Sequence, residues 1–183
     1  VCPSAHIQSS ANDLGYTPTR FVPLGLEAQF TDLEVSRHEK GSIVLFVGAI
    51  AEQKGIRILL QAFRKICKAV PDAELWLAGE GPLLNETREY IEKWDLARCV
   101  KLLGFVDREN IIELYQSASV LAVPSIWSEQ FGLVGPEALA CGIPCVGSDI
   151  GGIPEWLIHE KCGYITPPHD VEQLASRIIE LIN

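Results

Sequence analysis

The chain has 183 residues, 48% hydrophobic and 21% charged, with 15 glycines and 11 prolines. A chain of that size buries roughly 70% of its unfolded surface, which fits one globular domain and excludes disorder, a collagen-like repeat and a coiled coil. Its formal net charge of −9 argues against nucleic acid as a partner and against an anionic membrane as the main one, because both are held by clustered Lys and Arg.

No apolar run approaches the roughly 20 residues of a membrane span, and residues 1–25 lack a basic and an apolar leader region. A cytoplasmic setting is expected, with membrane contact at most peripheral, through basic residues of the segment 56–70. The six cysteines, Cys2, Cys67, Cys99, Cys141, Cys145 and Cys162, are scattered through apolar segments, as buried free thiols in a reducing compartment would be. Cys141 and Cys145 with His159 and Cys162 lack the short Cys-x2-Cys pairing of a zinc site, so no metal is expected.

In chain order, residues 1–4 and 20–24 read as strand pieces and 31–41 (TDLEVSRHEKG) as an exposed, charged connection. From residue 42 onward short β-branched runs alternate with longer amphipathic ones. A strand at 42–47 (SIVLFV) precedes a helix at 56–70, and a strand at 73–78 (AELWLA) a helix at 83–94. A strand at 99–103 is followed by a helix at 108–116 capped by Asp107, then by a strand at 118–123. A helix at 133–140, strands at 144–147 and 164–165 and a helix at 170–182 complete the chain, with Asp170 and Gln173 placed as a capping box. Such alternation implies right-handed crossovers and a doubly wound, Rossmann-like parallel α/β sheet over residues 1–183. Ligands of these sheets bind beyond the carboxyl ends of the strands.

The strand-end loops carry the chemistry. After Val47, Gly48 permits a close turn, and Lys54 precedes Gly55 at a helix start, where a phosphate is favoured; the order Lys-Gly-Ile is not that of a Walker loop. A solvated helix-start lysine is the alternative. Gly79-Glu80-Gly81-Pro82-Leu83-Leu84 lacks the third glycine of a dinucleotide fingerprint and reads as a tight turn. The stretch 124–137 (PSIWSEQFGLVGPE) holds two carboxylates, Glu129 and Glu137, placed to face one ligand. Carboxylates suit sugars because they accept charge-assisted hydrogen bonds, of about 1.5–3 kcal/mol each, from hydroxyls. Gly132 and the amides of Phe131, Leu133 and Val134 offer backbone donors between them. The alternatives are a dipole-complementing Glu137 and an exposed loop acid at Glu129. Gly151-Gly152 after the next strand reads either as backbone lying against a ligand or as a plain turn, and Glu155 as structural as readily as functional.

Six segments in order, FVGAIAEQKGI at 46–56, LAGEGP at 77–82, LLGFV at 102–106, EQFGLVGPE at 129–137, ALACGIPCVGSDIGGIPE at 138–155 and GYITPP at 163–168, resemble the retaining glycosyltransferases of group 1, or family 4, with the two-domain GT-B fold. VCPS and VPLGLEAQF resemble the start of their carboxyl-terminal, donor-binding half, so the amino-terminal acceptor domain would be missing from this chain. The resemblance implies transfer of a sugar from a UDP-, GDP- or ADP-sugar to an acceptor hydroxyl with retention, without a metal or other cofactor. By position, Glu129 would contact donor-sugar hydroxyls, aided by amides near Phe131, Gly132 and Leu133, and Glu137 would hold the ribose. Lys54 would neutralise the diphosphate, Leu133 and Val134 would donate amides to phosphate, Phe105 and Val106 would border the base, and Gly48 would give the close turn.

Two departures qualify this. Ala49 stands where the family commonly has an arginine, removing one of two cationic clamps, and without the acceptor domain the isolated chain is expected to bind nucleotide but not to transfer sugar. Other classes kept open are a sugar-nucleotide epimerase or phosphorylase half of the same fold, and a non-catalytic nucleotide-binding interaction module.

Overall fold

The computed structural model describes residues 1–22, 24–31, 33 and 41–183. Six strands, β1 (Ile43–Val47), β2 (Glu74–Ala78), β3 (Val100–Gly104), β4 (Val120–Val123), β5 (Cys145–Ser148) and β6 (Gly163–Thr166), form one parallel sheet. Their order is β3-β2-β1-β4-β5-β6. The order reverses between β1 and β4, and there the loops after the two strands diverge and leave a crevice at the carboxyl edge.

Successive residues of β1 serve opposite faces, as the period of two requires. Val44 and Phe46 enter a core shared with Leu59, Phe63, Leu75 and Ile178, while Leu45 enters a second core with Tyr115, Leu121, Ile153 and Leu157. Helix α3 (Ile56–Ala69) covers the first face with a stripe of Ile56, Leu59, Leu60, Phe63 and Ile66, all buried. Full burial of such side chains stabilises by about 1.5–3 kcal/mol each. Helix α8 (Val171–Ile182) packs beside α3, its N-terminus closed by Asp170, whose Oδ1 accepts the Gln173 amide at 2.9 Å. The expected capping residue is therefore in place.

Helices α4 (Leu84–Lys93), α5 (Ile111–Ser117), α6 (Val134–Ala140) and α7 (Ile153–Trp156) complete the layers. Two expectations fail. Asp107 does not cap a helix: α5 begins only at Ile111, with Asn110 at the cap position making no side-chain bond, and Asp107 uses its carbonyl to accept from Asn110. Between the strand pieces expected at 1–4 and 20–24 stands an unexpected helix, α1 (Ala5–Asp13), started by buried Ser4, which accepts the Ile7 amide at 3.2 Å. Of the expected strand pieces only a parallel bridge between Cys2 and Phe21 is formed. A short helix α2 (Ala28–Thr31) follows, and most of the charged connection expected at 31–41 lies outside the described residues.

Candidate functional site

A cavity of about 380 Å³ lies at the carboxyl ends of β1 and β4. Gly48, Lys54 and Glu129 line it on one side and Phe131, Gly132, Leu133 and Val134 on another. Next to it, sharing Val47, Gly48 and Ala49, lies a second cavity of about 330 Å³ walled by Gly79, Glu80, Phe105 and Val106. The structure thus gathers nine of the ten residues singled out by sequence into two adjoining lobes.

Lys54 ends a 3-10 turn, Glu52–Lys54, that follows β1. Gly55 after it has φ +70°, and a Cβ there would lie 1.8 Å from the Pro124 carbonyl oxygen. Only glycine lets this turn press against the end of β4, which brings Lys54 to the Glu129 loop. Lys54 Nζ donates to Glu129 Oε1 at 2.5 Å, and Ser125 Oγ donates to the same oxygen at 2.7 Å. Glu129 Oε2 has no protein partner among the described residues and keeps its capacity to accept a hydrogen bond. Lys54 is the one cation among the described residues lining this lobe.

The Glu129 loop is held from behind. Cβ atoms at Gly151 and Gly152 would lie 2.3 Å from the Glu129 carbonyl oxygen and 2.5 Å from that of Gln130, and Gly152 donates its amide to Glu129 O at 2.9 Å. The glycine pair therefore lies against the backbone of this loop. Trp156 Nε1 donates to the Phe131 carbonyl at 2.6 Å. The amides of Phe131, Gly132, Leu133 and Val134 donate to no protein acceptor among the described residues, as the open first turn of a helix allows.

Glu155 resolves as structural: its carboxylate accepts the amides of Ala5 and His6, each at 2.9 Å, at the start of α1. That contact satisfies orphan donors of the helix and places a negative charge where its dipole favours one. From α1, His6 Nε2 meets Ser128 Oγ at 2.5 Å. Sequence reading missed Ser125 and Ser128, which lie in the Glu129 loop itself, and His6 and Trp156, since no local pattern marks a residue that supports another loop across the fold.

Glu137 stands apart from Glu129. It is buried in the first turn of α6, accepts from the Tyr115 hydroxyl at 3.0 Å and meets Arg108 at 3.5 Å. Burial raises its carboxyl pKa, against the lowering influence of the Tyr115 hydroxyl and Arg108. Arg108 is itself bound to Glu27, whose carboxylate it holds below the usual range. The two carboxylates therefore do not line one cavity. Ala49 lies exposed where the two lobes join. Arg57, the nearest basic residue along the chain after Lys54, is occupied by Glu52 at 2.6 Å and Glu86 at 2.5 Å. Among the described residues no group of three or more His, Cys, Asp or Glu side chains forms a metal site, and no helix is long and apolar enough to cross a membrane.

The family profile described as "Glycosyl transferases group 1" matches residues 29–183. Similar curated proteins include the N-acetyl-alpha-D-glucosaminyl L-malate synthase of Bacillus anthracis, 34% identical over 148 residues, which are 81% of this chain and 37% of that protein. The D-inositol 3-phosphate glycosyltransferase of Corynebacterium jeikeium is 31% identical over 190 residues, covering 92% of this chain and 45% of its own length. The chain thus spans 37% and 45% of the length of these two relatives. Among solved structures, Anabaena HepE in complex with UDP and glucose superposes with a TM-score of 0.87 at 24% identity, over 100% of this chain and 52% of that one. The shared fold is that of the GT-B glycosyltransferases.

Proposed function

Since the chain belongs to the glycosyl transferases of group 1, we propose that its two-lobed cleft binds a nucleoside diphosphate sugar and that the chain forms the donor half of a retaining, family 4 enzyme. The observation that carries this reading is the Lys54–Glu129–Ser125 cluster beside unbonded amides at the carboxyl edge of the sheet. A cation with backbone donors suits a diphosphate, and a carboxylate oxygen without a partner suits sugar hydroxyls. The solved structure of HepE in complex with UDP and glucose supports the same ligand class.

In this reading Lys54 and the amides of Leu133 and Val134 meet the charge that develops on the departing diphosphate, which makes a metal unnecessary. Glu129 orients the donor sugar, with the amides of Phe131 and Gly132 beside it. Glu137, whose Oε1 has only the 3.5 Å contact to Arg108 among the described residues, accepts from the ribose, while Phe105 and Val106 border the base. An acceptor domain supplied outside these 183 residues completes the active cleft, and the chain alone binds donor without transferring sugar. The coverage of less than half of the relatives supports this division. The reading also places the enzyme in the cytoplasm, where donor sugars are supplied.

Calorimetry with UDP, GDP, ADP and their sugars, in the presence of EDTA, tests the proposal. One base class should bind, and binding by none would sink the reading. Ala49→Arg should tighten the preferred nucleotide about tenfold or more, as a restored charge-assisted bond of about 1.5–3 kcal/mol implies. No gain would remove the two-clamp account of the diphosphate.

A further inference from the structure

At the edge of the sheet opposite the cleft, two cysteines from separate elements meet. Cys67 lies in the last turn of α3, and Cys99 immediately precedes β3, the strand at one edge of the sheet. Their Sγ atoms are 3.0 Å apart. A disulfide has an S–S length of about 2.05 Å, so closing the bond asks for a movement of roughly 1 Å. Among the described residues Cys99 Sγ otherwise meets only the Leu96 carbonyl, at 3.5 Å. The pair opens onto a cavity of about 480 Å³ lined also by Pro71, Asp72, Asp95 and Arg98, which admits a small polar oxidant. Among the described residues no other two sulfurs are in contact.

We infer that Cys67 and Cys99 form a reversible disulfide, a modification site for hydroperoxides that latches the edge strand β3 to helix α3. The Cys99 thiolate attacks the peroxide oxygen, giving a sulfenic acid and hydroxide. The Cys67 sulfur then displaces water from that sulfenic acid, so that two thiols and one hydrogen peroxide become one disulfide and two waters. Burial pushes the Cys67 thiol up to about 12, which disfavours its thiolate and leaves the first attack to Cys99; Cys67 gives up its proton to the departing hydroxyl as the S–S bond forms. In a reducing compartment thiol exchange with glutathione reopens the bond, so the latch closes only under oxidative load. The closed loop spans residues 67–99, carrying β2 and α4, and restricts the unfolded chain accordingly.

The test uses the chain without nucleotide, so its outcome is separate from that of donor binding. The chain is treated with hydrogen peroxide, free thiols are alkylated, and peptides are mapped by mass spectrometry. The expected product is two hydrogens lighter, with one crosslink joining the Cys67 and Cys99 peptides. Dithiothreitol should reverse it, and thermal unfolding should shift upward by roughly 5–10 °C on oxidation. Cys67→Ser and Cys99→Ala should each lose both the crosslink and the shift. A crosslink through another cysteine, uncrosslinked sulfinic acids at these positions, or an unchanged unfolding temperature in the crosslinked wild type would overturn the inference.

Discussion

The two lobes of the cleft are built differently. The lobe at Lys54 is a set of interlocked polar contacts: one carboxylate oxygen takes both a lysine and a serine, and the loop carrying it is backed by glycines, an indole and a histidine–serine contact from α1. The lobe at Phe105 is a mainly apolar trough whose aromatic wall is 73% exposed. Preorganised polar groups hold their geometry before a ligand arrives and so lose little entropy on binding it, whereas an exposed ring must be ordered by the ligand. In the proposed reading the first lobe meets the diphosphate and sugar and the second the base.

The largest effect is expected from Lys54→Ala. Removing the charge leaves Glu129 with Ser125 alone and places an uncompensated carboxylate beside the diphosphate. Nucleoside diphosphate affinity should fall about 10- to 100-fold, from the loss of about 1.5–3 kcal/mol, while affinity for the bare nucleoside changes less than about twofold. Calorimetry of the two ligands reads the difference, and equal losses for both would erase the distinction between the lobes.

Glu137→Gln comes next, with an expected loss of about tenfold in nucleotide affinity, the size of one charge-assisted hydrogen bond. Stability should move the other way or stay level. The raised folded-state pKa of Glu137 means that the folded chain holds this proton to higher pH than the unfolded chain does. Its contribution to folding is therefore greatest at low pH and is lost as pH rises through the folded value. The neutral amide removes that dependence and retains a partner for Tyr115. Thermal melts across pH 4–8 should show a flatter profile for the variant above the carboxylate range, and a steeper one would contradict the assigned burial effect.

The smallest effect is expected from Phe105→Ala. Loss of an exposed ring contact worth about 1 kcal/mol should weaken nucleoside and nucleoside diphosphate alike by about fivefold and narrow the preference among bases. A selective loss for the diphosphate alone would move Phe105 out of the base lobe.

Much of the site was legible because its residues sit at the ends of strands whose apolar, β-branched runs are themselves visible. Gly48, Lys54, Glu129 and the stretch 131–134 follow β1 and β4 directly, so locating the strands located them. The Gly151-Gly152 pair shows where legibility ended: sequence marked a close approach of backbone but not what it approached, which proved to be the Glu129 loop. Glu155 was ambiguous for a similar reason, since its partners lie at Ala5 and His6, 150 and 149 residues away. The opening helix was missed because its signal is one buried serine cap without an apolar stripe.

By its own pattern the chain determined the alternation of strands and helices, the parallel sheet and the residues at its carboxyl edge, because hydrophobic period and glycine position act locally. Only the tertiary structure decided which of those residues share a cavity. It separated Glu137 from Glu129, closed Lys54 onto Glu129, joined α1 to the loop beyond β4, and brought Cys67 to Cys99. Each of these depends on the distance between groups far apart in the chain, and that distance is set by how the two cores pack on the sheet.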